Sequence, residues 1–86
     1  MPSWKHLRNS RDEVHHVVTT IEELQHVPPV SQGAGTLTYE LRAIVRRGEE
    51  VLFTLTAGPV ASSQRLSEAS RLEGEVFTRL EAGANL

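Results

Sequence analysis

The residues of this chain that could do chemistry are four histidines, a set of arginines and two pairs of adjacent glutamates. The histidines are His6, His15, His16 and His26. Apart from carboxylates they are the only side chains suited to hold a metal, because the chain has no cysteine. No two of them are four residues apart, and no HExxH pattern occurs. The spacing predicts neither a metal site nor a cofactor site.

Groups suited to catalysis are equally sparse. Asp12 is the single aspartate, and it lies between Ser10 and Glu13 in a pattern typical of a helix N-terminus. No Gly-x-Ser-x-Gly segment is present to expose a nucleophilic serine. The glutamates at 22–23 and 49–50 are adjacent in sequence, whereas acid–base catalysis needs carboxylates that converge in a buried cleft. We expect the protein not to be an enzyme.

Basic residues cluster in two places along the chain. The clusters are Lys5, Arg8 and Arg11 near the N-terminus, and Arg42, Arg46 and Arg47 in the middle. Basic arms and β-ribbons of this kind contact phosphates. The net charge of −2 and the glutamates beside the second cluster argue the other way. Nucleic-acid binding by these two clusters is therefore the alternative functional hypothesis.

The element that positions the second cluster is a predicted β-hairpin over residues 36–57. Apolar side chains alternate along both strands, at Leu37, Tyr39, Leu41, Ala43 and Val45, then at Val51, Phe53, Leu55 and Ala57. Because paired residues must then share parity, a two-residue loop at Gly48-Glu49 is excluded. Three-residue loops at 46–48 and 47–49 both remain possible. Gly58-Pro59 is expected to end the second strand.

Helices are predicted on both sides of the hairpin. Apolar residues at helical spacing predict a first helix over about 11–27, which Pro28 ends. The β-branched residues of the same segment favour an alternative, a strand near 14–19 followed by a short helix over 21–27. A second helix is predicted over about 62–82.

The expected fold is α+β, in the order helix–β-hairpin–helix (αββα), with the helices packed on one face of an antiparallel sheet. The alternative is βαββα, with the extra strand near 14–19. We expect a flexible arm over 1–9, one domain over 10–83 with a loop over 28–35, and a tail over 84–86. Many unrelated small domains share this order, so it identifies no family.

Size and composition favour a protein that works by association. A chain of 86 residues forms one small domain, and such domains often gain stability by oligomerising. Its apolar runs are too short to span a membrane, so a soluble, cytoplasmic location is expected. A lone hairpin also leaves two strand edges open. We expect a small regulatory or interaction protein that binds a protein partner, as a homodimer.

The outer face of the hairpin is the expected contact surface. Ile44 and Leu52 interrupt its polar pattern and would form an exposed aliphatic patch. The predicted partner-binding residues are Arg42, Ile44, Arg46, Arg47, Leu52 and Thr54. The three arginines among them, together with the N-terminal arm, also serve the nucleic-acid alternative.

Overall fold

Four antiparallel strands and a C-terminal helix make up the computed structural model, which describes residues 3–27 and 37–83. The elements are β1 Lys5–Asp12, β2 Val17–His26, β3 Thr38–Arg47, β4 Glu50–Ala61 and α1 Arg65–Glu81. The strands form one sheet in the order β1-β2-β3-β4, so each pairs with its neighbours in sequence. A 3₁₀ turn, Ser62–Gln64, leads into α1. The predicted loop 28–35 and tail 84–86 lie outside the described residues.

The predicted αββα order is wrong, and so is its βαββα alternative. The segment 11–27 contains β2, where the first prediction places one long helix. The alternative is correct only in placing a strand near 14–19, because the helix it places over 21–27 is the continuation of β2. Its β-branched residues, which run from Val17 to Ile21, favour extended backbone. Val17, Thr19 and Ile21 are buried on one face of the strand. The threonine among them disguises the alternation, and this is why helical spacing was the stronger signal in the sequence.

The N-terminal segment belongs to the sheet. The arm predicted over 1–9 contributes residues 5–9 to β1, which pairs along its length with β2. Leu7 interrupts the register, since His6 and Arg8 have successive partners in β2 and Leu7 has none. β1 is thus an edge strand with a bulge near its start.

Asp12 stabilises the turn between β1 and β2. Its Oδ1 accepts hydrogen bonds from the backbone N–H of Val14 (2.9 Å) and of His15 (3.2 Å). Its Oδ2 lies 2.8 Å from Nδ1 of His15. The hydrogen bond to the His15 side chain, aided by the two backbone N–H groups, lowers the pKa of Asp12 below its usual value. The predicted capping pair of Ser10 and Glu13 therefore lies in a strand and a turn, and starts no helix.

Helix α1 covers one face of the sheet and confirms the helix predicted over about 62–82. Its buried residues are Ala69, Leu72, Val76 and Leu80. They pack on the central strands, at Val17, Ile21, Leu41, Ala43 and Val45. In the described ranges, no helix has both the length and the apolar character that crossing a bilayer requires.

The predicted β-hairpin is present as β3 and β4, but its loop differs from the prediction and Val51 does not share the face of Phe53, Leu55 and Ala57. The loop is the two-residue one at Gly48-Glu49, because Arg47 pairs with Glu50. Gly48 has a φ of 62°, as the first position of a tight hairpin turn requires. Both predicted three-residue loops, 46–48 and 47–49, are therefore wrong.

A β-bulge explains how a two-residue loop is compatible with apolar residues at odd positions in both strands. Val51 pairs with Arg46 and Phe53 pairs with Val45, so Leu52 has no residue opposite it. The extra residue returns Phe53 and the following odd positions to the face that α1 covers. It also leaves Val51 on the other face, where 49% of its surface is exposed.

The predicted end of the hairpin at Gly58-Pro59 is a second bulge, and β4 continues to Ala61. Both residues lie opposite Glu40 alone. Gly58 has a φ of 147°, and a Cβ there would lie 3.0 Å from the backbone O of Tyr39 and 3.1 Å from Cα of Glu40. Backbone conformation and space therefore both require glycine at this position.

Replacing Gly58 with alanine is expected to destabilise the fold by roughly 1–3 kcal/mol, since an unfavourable φ is combined with a backbone clash. Gly74→Ala is the matched control, because a Cβ at Gly74 has nothing within 4 Å. In the middle of α1 this control is expected to stabilise the protein by about 1 kcal/mol. Urea denaturation followed by circular dichroism measures both variants. A Gly58→Ala protein as stable as the wild type would contradict the close approach.

Asp12 is expected to contribute to the pH dependence of stability. Its pKa is lower in the folded chain than its usual value of 3.8. Its stabilising contribution is therefore present above that value and is lost as the pH falls through the lower, folded value. Asp12→Asn keeps the Oδ1 acceptor and removes the charge. We expect the wild type to be the more stable at about pH 5, and the difference to shrink below about pH 4.

Thermal denaturation followed by circular dichroism at a series of pH values measures this difference. A gap between wild type and Asp12→Asn that stayed constant down to about pH 2 would show that the Asp12 charge is not the cause.

Candidate functional site

The sheet face opposite α1 is the candidate site, because no described element packs over it. The register aligns its side chains in rows that cross the strands. The row nearest the hairpin turns, here the basic row, consists of Arg11, Val18, Arg46 and Val51. The next, the threonine row, consists of Asn9, Thr20, Ile44 and Thr54. The third, the Arg42 row, consists of His6, Glu22, Arg42 and Thr56.

The Arg42 guanidinium makes two contacts, one with Glu22 and one with Trp4. Its Nη2 donates to Oε1 of Glu22 at 2.9 Å, and its guanidinium carbon lies 4.1 Å from the centroid of the Trp4 ring. Oε2 of Glu22 lies 3.8 Å from Nε2 of His6. Glu22 therefore balances the Arg42 charge, and a cation–π contact holds Trp4 on the uncovered face.

The predicted contact residues of β3 and β4 differ in exposure. Arg46 and Thr54 are exposed on the uncovered face. Arg42 is half-buried in its ion pair. Ile44 is buried, with 9% of its surface exposed, and it lies between Thr20 and Thr54 in the threonine row.

Arg47 and Leu52 lie apart from the other predicted contact residues. Strand alternation turns Arg47 toward the helix side, and its Nη2 donates to the backbone O of His15 across 3.4 Å. Leu52 is partly buried and packs against the hydrophobic core. Since Ile44 pairs with Thr54, the expected aliphatic patch of Ile44 and Leu52 does not form.

Two other arginines connect α1 to the sheet. Nη1 of Arg8 in β1 donates to the Glu73 carboxylate and to Oγ of Ser70, both on the helix. Nη1 of Arg65, at the start of α1, donates to Oε1 of Glu23 at 3.0 Å. The glutamates of these pairs are less exposed than the arginines. These arginines are committed to the packing of the helix.

Arg11 and Arg46 have no carboxylate partner among the described residues. In the ranges 3–27 and 37–83, no carboxylate lies within 4.0 Å of either guanidinium. The two residues flank Val18 in the basic row. The sequence shows them in separate clusters, and only the register of β1 on β2 brings them together. Sequence reasoning missed this pair because it placed Arg11 at the start of a helix.

The two edge strands differ in their protection. β1 carries four formally charged side chains in its 8 residues and has the bulge at Leu7. β4 has no charged residue between Val51 and Ala61. Charges and bulges are the usual means by which sheets prevent edge-to-edge pairing. The stretch 53–57 of β4, between its two bulges, lacks both and is here called the β4 edge.

Three histidines lie beside carboxylates in this structure. The pairs are His6 with Glu22, His15 with Asp12, and His26 with Glu40 at 3.3 Å. Among the described residues, no three potential metal ligands come together. Each pair is a hydrogen-bonding or electrostatic contact between neighbouring parts of the sheet.

Comparison with known proteins gives no relative: the chain matches no protein-family model, no curated protein and no solved structure at a significant level.

The single tryptophan of the chain makes the Arg42 contact measurable. Arg42→Gln removes the cation that holds the ring, so we expect the fluorescence of Trp4 to shift to longer wavelength, toward that of the unfolded chain. Arg46→Gln is the control and leaves the emission unchanged, because Arg46 lies in another row. Circular dichroism confirms that both variants are folded. An identical emission maximum in Arg42→Gln and wild type would show that Trp4 is not held by Arg42.

Proposed function

We propose that this chain is a small, non-enzymatic regulatory protein that acts by association, and that it forms a homodimer by pairing its β4 edge with that of a second copy. The observation that carries the proposal is the absence of charge along β4 from Val51 to Ala61. An edge strand with unpaired backbone N–H and C=O groups is a template for another strand.

Self-pairing suits this edge because the geometry is symmetric. Two antiparallel β4 strands related by a two-fold axis present the same surface to each other, which closes the assembly at two copies. Phe53 and Leu55 lie at the margin of the core and are only partly buried. A second sheet continued beyond β4 would cover their exposed sides and extend the apolar layer beneath both helices.

The face of β4 that points away from α1 also suits pairing with a second copy. Thr54 and Thr56 are exposed there, and threonines that face each other across antiparallel strands stabilise sheets. No side chain of the β4 edge itself is charged, and Arg79 of α1 lies over the Phe53 ring with its guanidinium carbon 5.9 Å from the centroid. At the other edge of the sheet, the charges and the bulge of β1 oppose pairing of this kind.

A binding role also agrees with how the carboxylates are used. Glu22, Glu23 and Glu73 each pair with an arginine, and Asp12 holds a turn. These acids stabilise the fold within the described residues. Asp12 and Glu73 line one open hollow together with Glu13, but Asp12 is engaged by His15 and Glu73 by Arg8.

Thr54→Lys tests the dimer without disturbing the core. A two-fold axis places two such lysines in the interface, where like charges oppose pairing. We expect wild-type light scattering to approach twice the chain mass of 9.5 kDa, and the variant to dissociate with a Kd raised about tenfold or more. Asn9→Lys is the matched control, because Asn9 is the residue of the threonine row at the protected edge. It should leave the dimer intact.

Two results would refute the dimer. One is a wild type that stays monomeric over the whole concentration series. The other is an equal loss of association in Thr54→Lys and Asn9→Lys, which would locate the contact away from β4. Leu52→Glu is unsuitable for this purpose, because Leu52 packs against the core and a buried charge would unfold the chain.

A further inference from the structure

We propose that the uncovered sheet face binds single-stranded nucleic acid, with Arg11 and Arg46 contacting phosphates and Trp4 offering a stacking surface. This function is separate from the β4 edge, because the face remains open when the edges pair. It rests on the basic row, whose arginines come from different parts of the chain and meet only in the folded sheet.

The spacing of the two arginines suits contact with one nucleic-acid backbone. Arg11 and Arg46 lie on strands separated by β2, so their Cα atoms are about 10 Å apart. Both side chains are long, flexible and exposed, and guanidinium groups bind phosphate oxygens in a bidentate manner. The apolar Val18 between them offers no competing hydrogen bond. The pair can therefore hold one phosphate or two neighbouring ones.

The net charge of the chain is −2, and Glu13 and Glu49 lie in the two turns at this end of the sheet, with Glu13 in the same hollow as Arg11 and Val18. The basic row and the threonine row contain no acidic residue. The first acid on this face is Glu22 in the Arg42 row, where Arg42 pairs with it. Glu50 pairs with Arg47, which alternates to the helix side. An anion at the basic row meets two guanidinium groups that have no described carboxylate within 4.0 Å.

Trp4 lies on the same face beside the Arg42 row. Its ring stacks on the Arg42 guanidinium, 4.1 Å from the centroid. Arg42 and Arg46 are four residues apart in β3, so the stack lies about 14 Å along the strand from the basic row. Proteins that bind single strands combine a basic track for the backbone with aromatic rings on which bases stack. Both parts are present here on one face of the sheet.

A single strand fits this surface better than a duplex. Reading a duplex requires a helix or ribbon that enters a groove. The β3–β4 turn is the end of the ribbon, and it carries Glu49 and Glu50, which DNA phosphates would repel. The sheet face itself has exposed Asn9, Thr54 and Thr56 side chains, which can hydrogen-bond unpaired bases.

The test is fluorescence anisotropy with a labelled oligonucleotide of about 12 nucleotides, titrated with the full chain at about 50 mM and 200 mM salt. We expect binding to the single strand that weakens with salt. In Arg11→Gln/Arg46→Gln the affinity should fall about tenfold, and the slope of log K against log salt should become less steep by about 1.4, or 0.7 for each lost contact.

Arg71→Gln/Arg79→Gln is the matched control, since it makes the same change in net charge on exposed residues of α1. It should bind like the wild type. RNA and DNA strands are both used, because phosphates and base faces are common to them. Thermal denaturation verifies that every variant is folded.

Four outcomes would overturn the proposal. They are no binding by the wild type at low salt, an equal loss in the two double variants, tighter binding to the duplex of the same sequence, and binding to vesicles containing phosphatidylserine in place of the oligonucleotide. Because none of these readouts depends on dimer formation, the proposal can fail or hold separately from the pairing of β4.

Discussion

A single helix covers only one face of a four-stranded sheet, and most features of the described part of this protein follow from that limit. α1 buries the face that carries Ile21, Leu41 and Val45. No described element covers the opposite face, so arginine, threonine and asparagine occupy most of it, although Thr20 and Ile44 at its centre are buried. Since the two faces differ so strongly in polarity, shifting any strand by one residue would expose its core side chains. The register is therefore fixed by burial.

The bulges show how this constraint is satisfied along an irregular chain. A two-residue loop after Arg47 puts β4 out of phase with β3, and Leu52 restores the phase by having no partner. Farther along β4, Gly58-Pro59 shifts the phase again, so that Val60 is buried opposite Tyr39. Leu7 does the same for β1. In each strand an extra residue is accommodated at the edge, where few ladder bonds are disturbed.

The bulges and the polar core residue explain which elements could be predicted from the sequence and which could not. The β3–β4 hairpin and α1 were predictable, because apolar residues alternate in the first and follow helical spacing in the second. β1 was missed because Ser10 with Glu13 imitates a helix cap. β2 was predicted only in part, as the alternative strand near 14–19, since Thr19, a polar side chain, occupies a core position. The two-residue loop at Gly48-Glu49 was wrongly excluded. Matching odd with odd positions across a hairpin is valid only where neither strand has a bulge, and β4 has one at Leu52. The basic row was missed with β1, since Arg11 can be placed beside Arg46 only when that strand is known.

Chain topology also explains why β4 is left unprotected. In a meander the first and last strands lie at the edges, and α1, which follows β4, turns back over the sheet and contacts β3 and β4. Phe53 and Leu55 must then stay apolar, because they face the helix. The outward positions Thr54 and Thr56 are under no such restriction, and a lysine at either would protect the edge at no cost to the core. Packing therefore accounts for the apolar residues of the β4 edge, and the strand propensity of threonine accounts for Thr54 and Thr56 on its outer side. The pairing of two β4 edges proposed above would give the lack of charge there a second reason.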